Sequence, residues 1–376
     1  MTRDAAPLRL AFLGDAGSPH LHRWLNAFLA RGHAVALLIP EGVDLPGDAM
    51  PGVEPIRFRS LTARPSPLGA WAARRDLRRL LGAWRPDVLH AHYARSPAWH
   101  AWLSGFRPYV VTAWGSDVLL AGRAGRVGRL ATRLALRDAA IVTAGTPGLA
   151  AAAVALGARP DRLREAQFGI DTERFRPGPA ASDLRQKLGL GPGRVVVSSR
   201  ILAPLYRHDV VVEALAELPG DVVVLSTAMR ADPGERDRLA SLAHERGVAE
   251  RWRILPAMDA ARMAELYRLA DVIVSVPESD AMPQSVMEAM ATGTPAVVSD
   301  LPDARDWLGD LTPELIVPVG DAAATAAALR TALAVAPEAR RTLGERLRGR
   351  IVERADARRS MDRVEAWYHQ LATRSP

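Results

Sequence analysis

Short runs of Val, Leu and Ile recur along this chain at intervals that leave room for one helix between each pair, and no other feature restricts its fold as strongly. LRLAFLG (8–14), AVALLI (34–39), DVLHA (87–91), YVVTA (109–113) and AIVTA (140–144) form a first series, with helix-like segments such as 20–31 between them. RVVVSS (194–199), DVVVLS (221–226), WRIL (252–255), VIVSV (272–276) and AVVS (296–299) form a second, separated by helical stretches such as 207–217 and 259–269. Apolar runs of strand length that alternate with helices predict parallel sheets covered on both faces, an α/β doubly wound class. The stretch FGIDTERFRPGPAASD (168–183) breaks the alternation with Pro, Gly and Ser and reads as a linker. A chain of 376 residues is also too long for one ordinary core. Two Rossmann-like domains are therefore expected, 1–170 and 171–357, followed by a terminal segment, 358–376, whose helix packs back on the first domain.

Composition narrows the class further. Charged residues make up 24% and no segment is dominated by one or two residue types, so a packed globular protein is expected rather than a disordered one. Every long apolar run is broken by charge, Gly or Pro within the roughly 18 to 20 residues that a membrane span needs. Neither a transmembrane helix nor a signal peptide is expected. With no cysteine, thiolate nucleophiles, disulfides and Cys-bound zinc are excluded, and a cytoplasmic location is expected. Residues 1–180 carry 24 Arg against 14 acids, whereas the remainder carries 25 Lys/Arg against 28. Lys187 is the only lysine, so a bias toward arginine and a plain solvated surface are one reading of the basic front half. A peripheral contact with the inner face of a membrane, through 71–84 and 125–137, is the other. Nucleic-acid binding is not expected, because the arginines are not interleaved with aromatics on a known module.

In open parallel sheets ligands bind beyond the C-terminal ends of the strands, so the turns there hold the candidate site. After the strand at 272–276 the chain runs PESDAMPQSVMEAMATGTPAVVSD (277–300). Pro283 just inside a helix start and Gly293 just past its end mark a helix over about 283–292. The amides of Gln284 and Ser285 then face outward at the positive end of the helix dipole, a seat for phosphate. Glu288 lies one turn on, on the face of Gln284, where a carboxylate can accept both ribose hydroxyls. A surface Glu on an ordinary helix is the alternative.

This segment resembles the signature of retaining GT-B glycosyltransferases, glycosyltransferase family 4 in particular. There, two acids separated by seven residues flank a loop and a helix start, followed by Ala-Met and Gly-Thr-Pro. The pair here is Asp280 and Glu288. The resemblance implies that the first acid reads the donor sugar and the second holds the ribose. Asp280 stands where the family usually has Glu and Glu278 lies beside it, so either can read the sugar. SSRILAPLYRHDVVVEAL (198–215) resembles the diphosphate grip, with Arg200 on the family's Arg and Arg207 on its usual Lys. GDAGSPHLHRW (14–24) resembles the family's first loop, bringing Gly14 and Gly17 to the ligand. In VTAWGSDVLL (111–120) Trp114 replaces the commoner His, and Asp117 remains as a polar group near the cleft. HAHYARS (90–96) offers His90 and His92 as facing the cleft or merely packing, and the base is expected near Pro256–Met258.

The resemblance spans almost the whole chain in the right order. It implies a GT-B fold, two Rossmann-like domains facing each other across a cleft, and metal-independent transfer of a sugar from a nucleotide-diphosphate donor with retention. Arg200, Arg207 and Asp117 are the expected catalytic residues. Gly14, Gly17, Met258, Asp280, Gln284, Ser285 and Glu288 are the expected donor contacts. No cofactor or metal is implied; the acceptor is a glycan, lipid-linked or small molecule. A GT-B shell that binds nucleotide sugar without turnover, acting as a regulator or subunit, is the alternative. A nicotinamide dehydrogenase is disfavoured because no first-strand turn carries G-x-G-x-x-G.

Overall fold

The computed structural model describes residues 6–43, 51–60, 66–120, 125–166, 169–227 and 231–373. The chain forms two compact units, Met1–Phe168 with Arg359–Pro376, and Gly169–Arg358. In the first unit seven strands, β1 (Arg9–Leu13), β2 (Ala34–Pro40), β3 (Val53–Phe58), β4 (Val88–His92), β5 (Tyr109–Thr112), β6 (Ile141–Ala144) and β7 (Leu163–Glu165), pair in the order 3-2-1-4-5-6-7. Every pairing is parallel, as in the register Leu10↔Val35 and Leu10↔Val88. Successive side chains alternate between faces. Ala11 and Leu13 meet helices Pro67–Trp84, Ser96–Ser104, Arg126–Asp138 and Pro147–Ala155, while Leu10 and Phe12 meet helices Pro19–Leu29 and Ala357–Ala372.

The second unit repeats the pattern with β8 (Val195–Ser198), β9 (Val223–Thr227), β10 (Trp252–Leu255), β11 (Val272–Ser275), β12 (Ala296–Ser299) and β13 (Ile316–Val317). These pair in the order 10-9-8-11-12-13, again all parallel. Val196, Val224 and Val274 pack against helices His208–Ala216, Glu235–Glu245 and Ala322–Ala334. Val195, Val197 and Ile273 pack against Ala260–Leu269, Gln284–Ala291, Pro302–Leu308 and Pro337–Arg354. Each fully buried Val, Ile or Leu contributes about 1.5–3 kcal/mol through desolvation. Central strands buried on both faces must therefore be continuous apolar runs, and these are the runs visible in the sequence.

Three strands escape that signal because they lie at or toward a sheet edge. β3 (VEPIRF) carries Pro55 and two charges and is buried at only two positions, an edge pattern. β7 has three residues, none buried, and β13 has two. Strand order reverses between β1 and β4 in the first unit and between β8 and β11 in the second. The loops leaving those strands open at a switch point, where α/β sheets bind ligands.

Candidate functional site

In the second unit the loops after β8 and β11 meet. The Glu278 amide donates to Leu205 O at 3.0 Å, which ties one loop to the other. Helix Gln284–Ala291 follows, starting one position later than the sequence predicts, with Pro283 as its N-cap in extended backbone (φ −66°, ψ 139°). The first intrahelical bond runs from Met287 N to Pro283 O, and no side chain caps the start. The positive end of the dipole therefore points into this loop. Gly293 ends the helix at φ +84°, and a Cβ on Gly344 would stand 2.7 Å from Gly293 O. Close approach of helix Pro337–Arg354 at these two glycines holds helix Gln284–Ala291 against its neighbour. Glu288, one turn in, is only 8% exposed.

One guanidinium group, that of Arg200, borders this helix start, and a second, that of Arg207, is tied to the loop before it through Glu278. Arg200, just past β8, hydrogen-bonds Asp280, lies 3.5 Å from Ser285 Oγ and sits 4.4 Å over the Tyr206 ring. Burial pushes the Asp280 carboxyl up, and Arg200 pulls it down. Arg207 adopts a left-handed backbone (φ 49°, ψ 47°), with Nε donating to Asp209 Oδ1 at 3.1 Å and Nη1 to Glu278 Oε1 at 3.5 Å. The bond to Asp209 holds its charge still more firmly. A Cβ on Gly320 would stand 3.1 Å from Arg207 Nη1. His208 points inward instead: its ring meets Ile201 O at 3.2 Å, and burial pushes its pKa down to about 4. Met258 is partly buried after β10 and packs on the core beneath. The structure thus brings Arg200, Arg207, Asp280, Gln284, Ser285 and Glu288 to one end of one sheet. The supporting roles of Tyr206 and Asp209 have no signal in the sequence.

Gly14, Gly17 and Asp117 belong to the first unit. A Cβ on Gly14 would collide with Leu21 Cδ2 at 2.7 Å and crowd His92 Cβ at 3.3 Å, so packing requires glycine there. Gly17 donates its amide to Asp15 Oδ1 at 2.9 Å in the turn before helix Pro19–Leu29. Asp117 is fully buried, and its oxygens accept from the amides of Ala94 (2.6 Å), Gly115 (2.8 Å) and Trp114 (3.0 Å). Desolvation raises its pKa and those amides lower it. Spent on main chain, this carboxylate staples the end of β4 to the end of β5. Tyr93, between them, takes φ +99° and meets Ser116 Oγ at 2.9 Å, a strained residue of the kind that clusters at binding sites. Sequence reasoning passed over it because nothing in the residue type announces the backbone angle.

His90 and His92 both face the layer of helix Pro19–Leu29. His90 bonds Tyr368 and, at 2.6 Å, Thr112 Oγ1, which in turn meets Thr143 Oγ1 at 2.6 Å. His92 lies among the rings of Phe12, Trp24, His90 and Trp114, where burial lowers its pKa to about 3. Elsewhere in this unit His33, Glu365 and His369 bring three potential metal-ligand atoms within 4.8 Å of one another. The Leu8 amide donates to His33 Nδ1 at 3.0 Å, so the ring proton sits on Nε2, which meets Glu365 Oε1 at 2.9 Å. Arg31 occupies Glu365 Oε2 at 3.0 Å. The trio is a clamp on the terminal helix, with His33's lone pair and Glu365's oxygens already used.

The same architecture recurs in known proteins. Residues 9–146 match the family described as Glycosyl transferase 4-like, and residues 181–350 match Glycosyl transferases group 1. A D-inositol 3-phosphate glycosyltransferase of Nocardia farcinica is 31% identical over 331 residues, 79% of this chain and 72% of the relative. The chain belongs to the GT4 glycosyltransferases. Among solved structures, this glycosyltransferase superposes on a sucrose-phosphate synthase from Thermosynechococcus elongatus with a TM-score of 0.83 at 21% identity, over 98% of this chain and 100% of the other. Anabaena HepE in complex with UDP-glucose gives a TM-score of 0.81 at 18% identity, over 97% of this chain and 100% of that one. The fold is accordingly GT-B. Among the described residues no helix is long and apolar enough to cross a membrane.

Proposed function

We propose that this glycosyltransferase moves a sugar from a nucleoside-diphosphate donor to an acceptor hydroxyl with retention of anomeric configuration, and that it needs no metal ion. One observation carries the reading: the Arg200 guanidinium reaches Ser285 at the uncapped start of helix Gln284–Ala291, and the Arg207 guanidinium, anchored on Asp209, is tied to Glu278 in the loop that leads to it. As the bond from the anomeric carbon to the diphosphate breaks, negative charge builds on the leaving oxygens and the sugar gains oxocarbenium character. Fixed donors at that place stabilise the departing charge where a divalent cation would otherwise be needed. The acceptor oxygen then attacks from the face the diphosphate leaves, so no enzymic nucleophile is assigned.

Glu288 holds the ribose, Asp280 or Glu278 reads the sugar hydroxyls, and the base lies near Met258. Gly14 and Gly17 bring main chain close to the ligand, and Asp117 positions the strand ends around it. The UDP and UDP-glucose of the Anabaena HepE complexes support a donor of this class. The acceptor is a glycan, lipid-linked or small molecule, met in the cytoplasm with a peripheral contact at the inner face of the membrane.

The test is to identify the donor by thermal shift across a panel of nucleotide sugars, then read the product's anomeric configuration by NMR with and without chelator. Retention with unchanged rate in EDTA is expected, as is a fall of about 10² in turnover for Arg207→Ala. An inverted product, or activity lost in EDTA and restored by magnesium or manganese, refutes the reading.

A further inference from the structure

Helices Pro67–Trp84 and Arg126–Asp138 lie on the same face of the first sheet, one on each side of helix Ser96–Ser104. Both are crossovers between parallel strands, so both begin at the C-terminal ends of the strands, where the loops holding Gly14, Tyr93 and Asp117 also lie. The first helix has 18 residues, about 27 Å of length. The sheet beneath has strands of three to seven residues, at most about 23 Å. The helix therefore overhangs. Its buried residues begin at Ala73, and those of Arg126–Asp138 begin at Thr132.

The overhanging turns carry exposed apolar side chains. Leu68 is 81% exposed, Trp71 61%, Val127 71% and Leu130 57%; the other exposed large apolar residues described, Val43, Val154 and Val319, lie near 40%. The turn holding Leu68 is well formed, since Ser66 Oγ caps it through the Gly69 amide at 3.0 Å. All eight arginines of the two helices are exposed. Neither first turn contains an acid, so the positive dipole ends add to the arginine charge. Solitary exposed apolar residues need no explanation, but four of them at one end of one sheet, ringed by cations, fit an anionic interface with an apolar layer behind it.

We propose that the starts of these two helices form one lipid-facing surface, in which Leu68, Trp71, Val127 and Leu130 enter the interfacial zone of an anionic bilayer while the flanking arginines meet its phosphate groups. This deepens the peripheral membrane contact proposed above, from charge attraction to insertion, and it stands apart from the donor chemistry. The loops holding Gly14, Tyr93 and Asp117 then open toward the lipid surface, which suits a lipid-linked acceptor.

The full chain is sedimented with vesicles of phosphatidylcholine alone and of phosphatidylcholine with phosphatidylglycerol, at low and high salt. Wild type is compared with Leu68→Ser/Trp71→Ser/Val127→Ser/Leu130→Ser, whose positions are exposed and so leave the fold intact. Wild type should bind the anionic vesicles and keep a salt-resistant fraction, and the quadruple variant should partition at least about 100-fold more weakly. Quenching of tryptophan fluorescence by brominated lipid should fall in Trp71→Phe. Donor-sugar hydrolysis without vesicles should be equal in all forms, which keeps failure here distinct from failure of the transferase reading. Binding that high salt abolishes, and that is equal in wild type and the quadruple variant, overturns insertion. Absence of binding, or a wild-type dimer that the same substitutions convert to monomer, overturns the lipid surface.

Discussion

Replacing Arg200 by alanine separates what its guanidinium does for the fold from what it does for the donor. In the free protein it bonds Asp280, reaches Ser285 and covers the Tyr206 ring. Alanine strands the Asp280 carboxylate, which burial already pushes toward protonation. Removing one partner of a fully buried ion pair costs about 3–5 kcal/mol, and the residual solvent contact of this pair reduces that to about 2 kcal/mol. For a domain of this size the melting temperature falls by about 4–8 °C. Loss of a charge-assisted contact to the diphosphate weakens nucleoside-diphosphate binding by a further, independent amount, about 10- to 100-fold. Adding Asp280→Asn removes the stranded charge, so Arg200→Ala/Asp280→Asn regains most of the lost melting temperature but none of the affinity. Differential scanning calorimetry and titration with the nucleoside diphosphate, which lacks the sugar that Asp280 or Glu278 is proposed to read, measure the two separately. If affinity recovers together with stability, Arg200 acts only as scaffold and the diphosphate assignment fails.

Two further outcomes are expected. Glu288→Ala should keep its fold and bind the donor more weakly, by about 1.5–3 kcal/mol for each ribose hydrogen bond at most; unchanged affinity in titration calorimetry sinks that role. His208, pushed down to about 4 by burial, binds its proton more weakly folded than unfolded, where the value is about 6.5. Its contribution is therefore complete above about pH 6.5 and is lost as pH falls toward 4, about 3 kcal/mol at most, and His208→Gln should flatten that slope in urea unfolding. Equal slopes for the two proteins would contradict it.

How much could be read beforehand depended on where each residue sits. The central strands announce themselves because a strand covered on both faces has no polar position to spare, whereas VEPIRF at an edge looks like loop. Helix Gln284–Ala291 was legible through Pro283 and Gly293, punctuation that acts within one segment. The pairing of Arg200 with Asp280 was not, since 80 residues separate them and only strand order makes them neighbours. Nor was the left-handed backbone of Arg207, or the approach of its guanidinium to Gly320. The sequence marked 71–84 and 125–137 as basic segments suited to a membrane surface, but how far their helices outrun the sheet depends on strand lengths elsewhere.

The terminal helix has a consequence for synthesis on the ribosome. Gly169–Arg358 is contiguous, so its sheet can close as soon as it has emerged. The earlier-made unit cannot finish, because Phe28 and His90 are covered by Tyr368, and His33 is clamped by Glu365. Until those last residues arrive, an imidazole and an aromatic face lie open on a half-built core. The unit translated first is completed last, and the nascent chain must keep that face from other partners throughout the making of its second half.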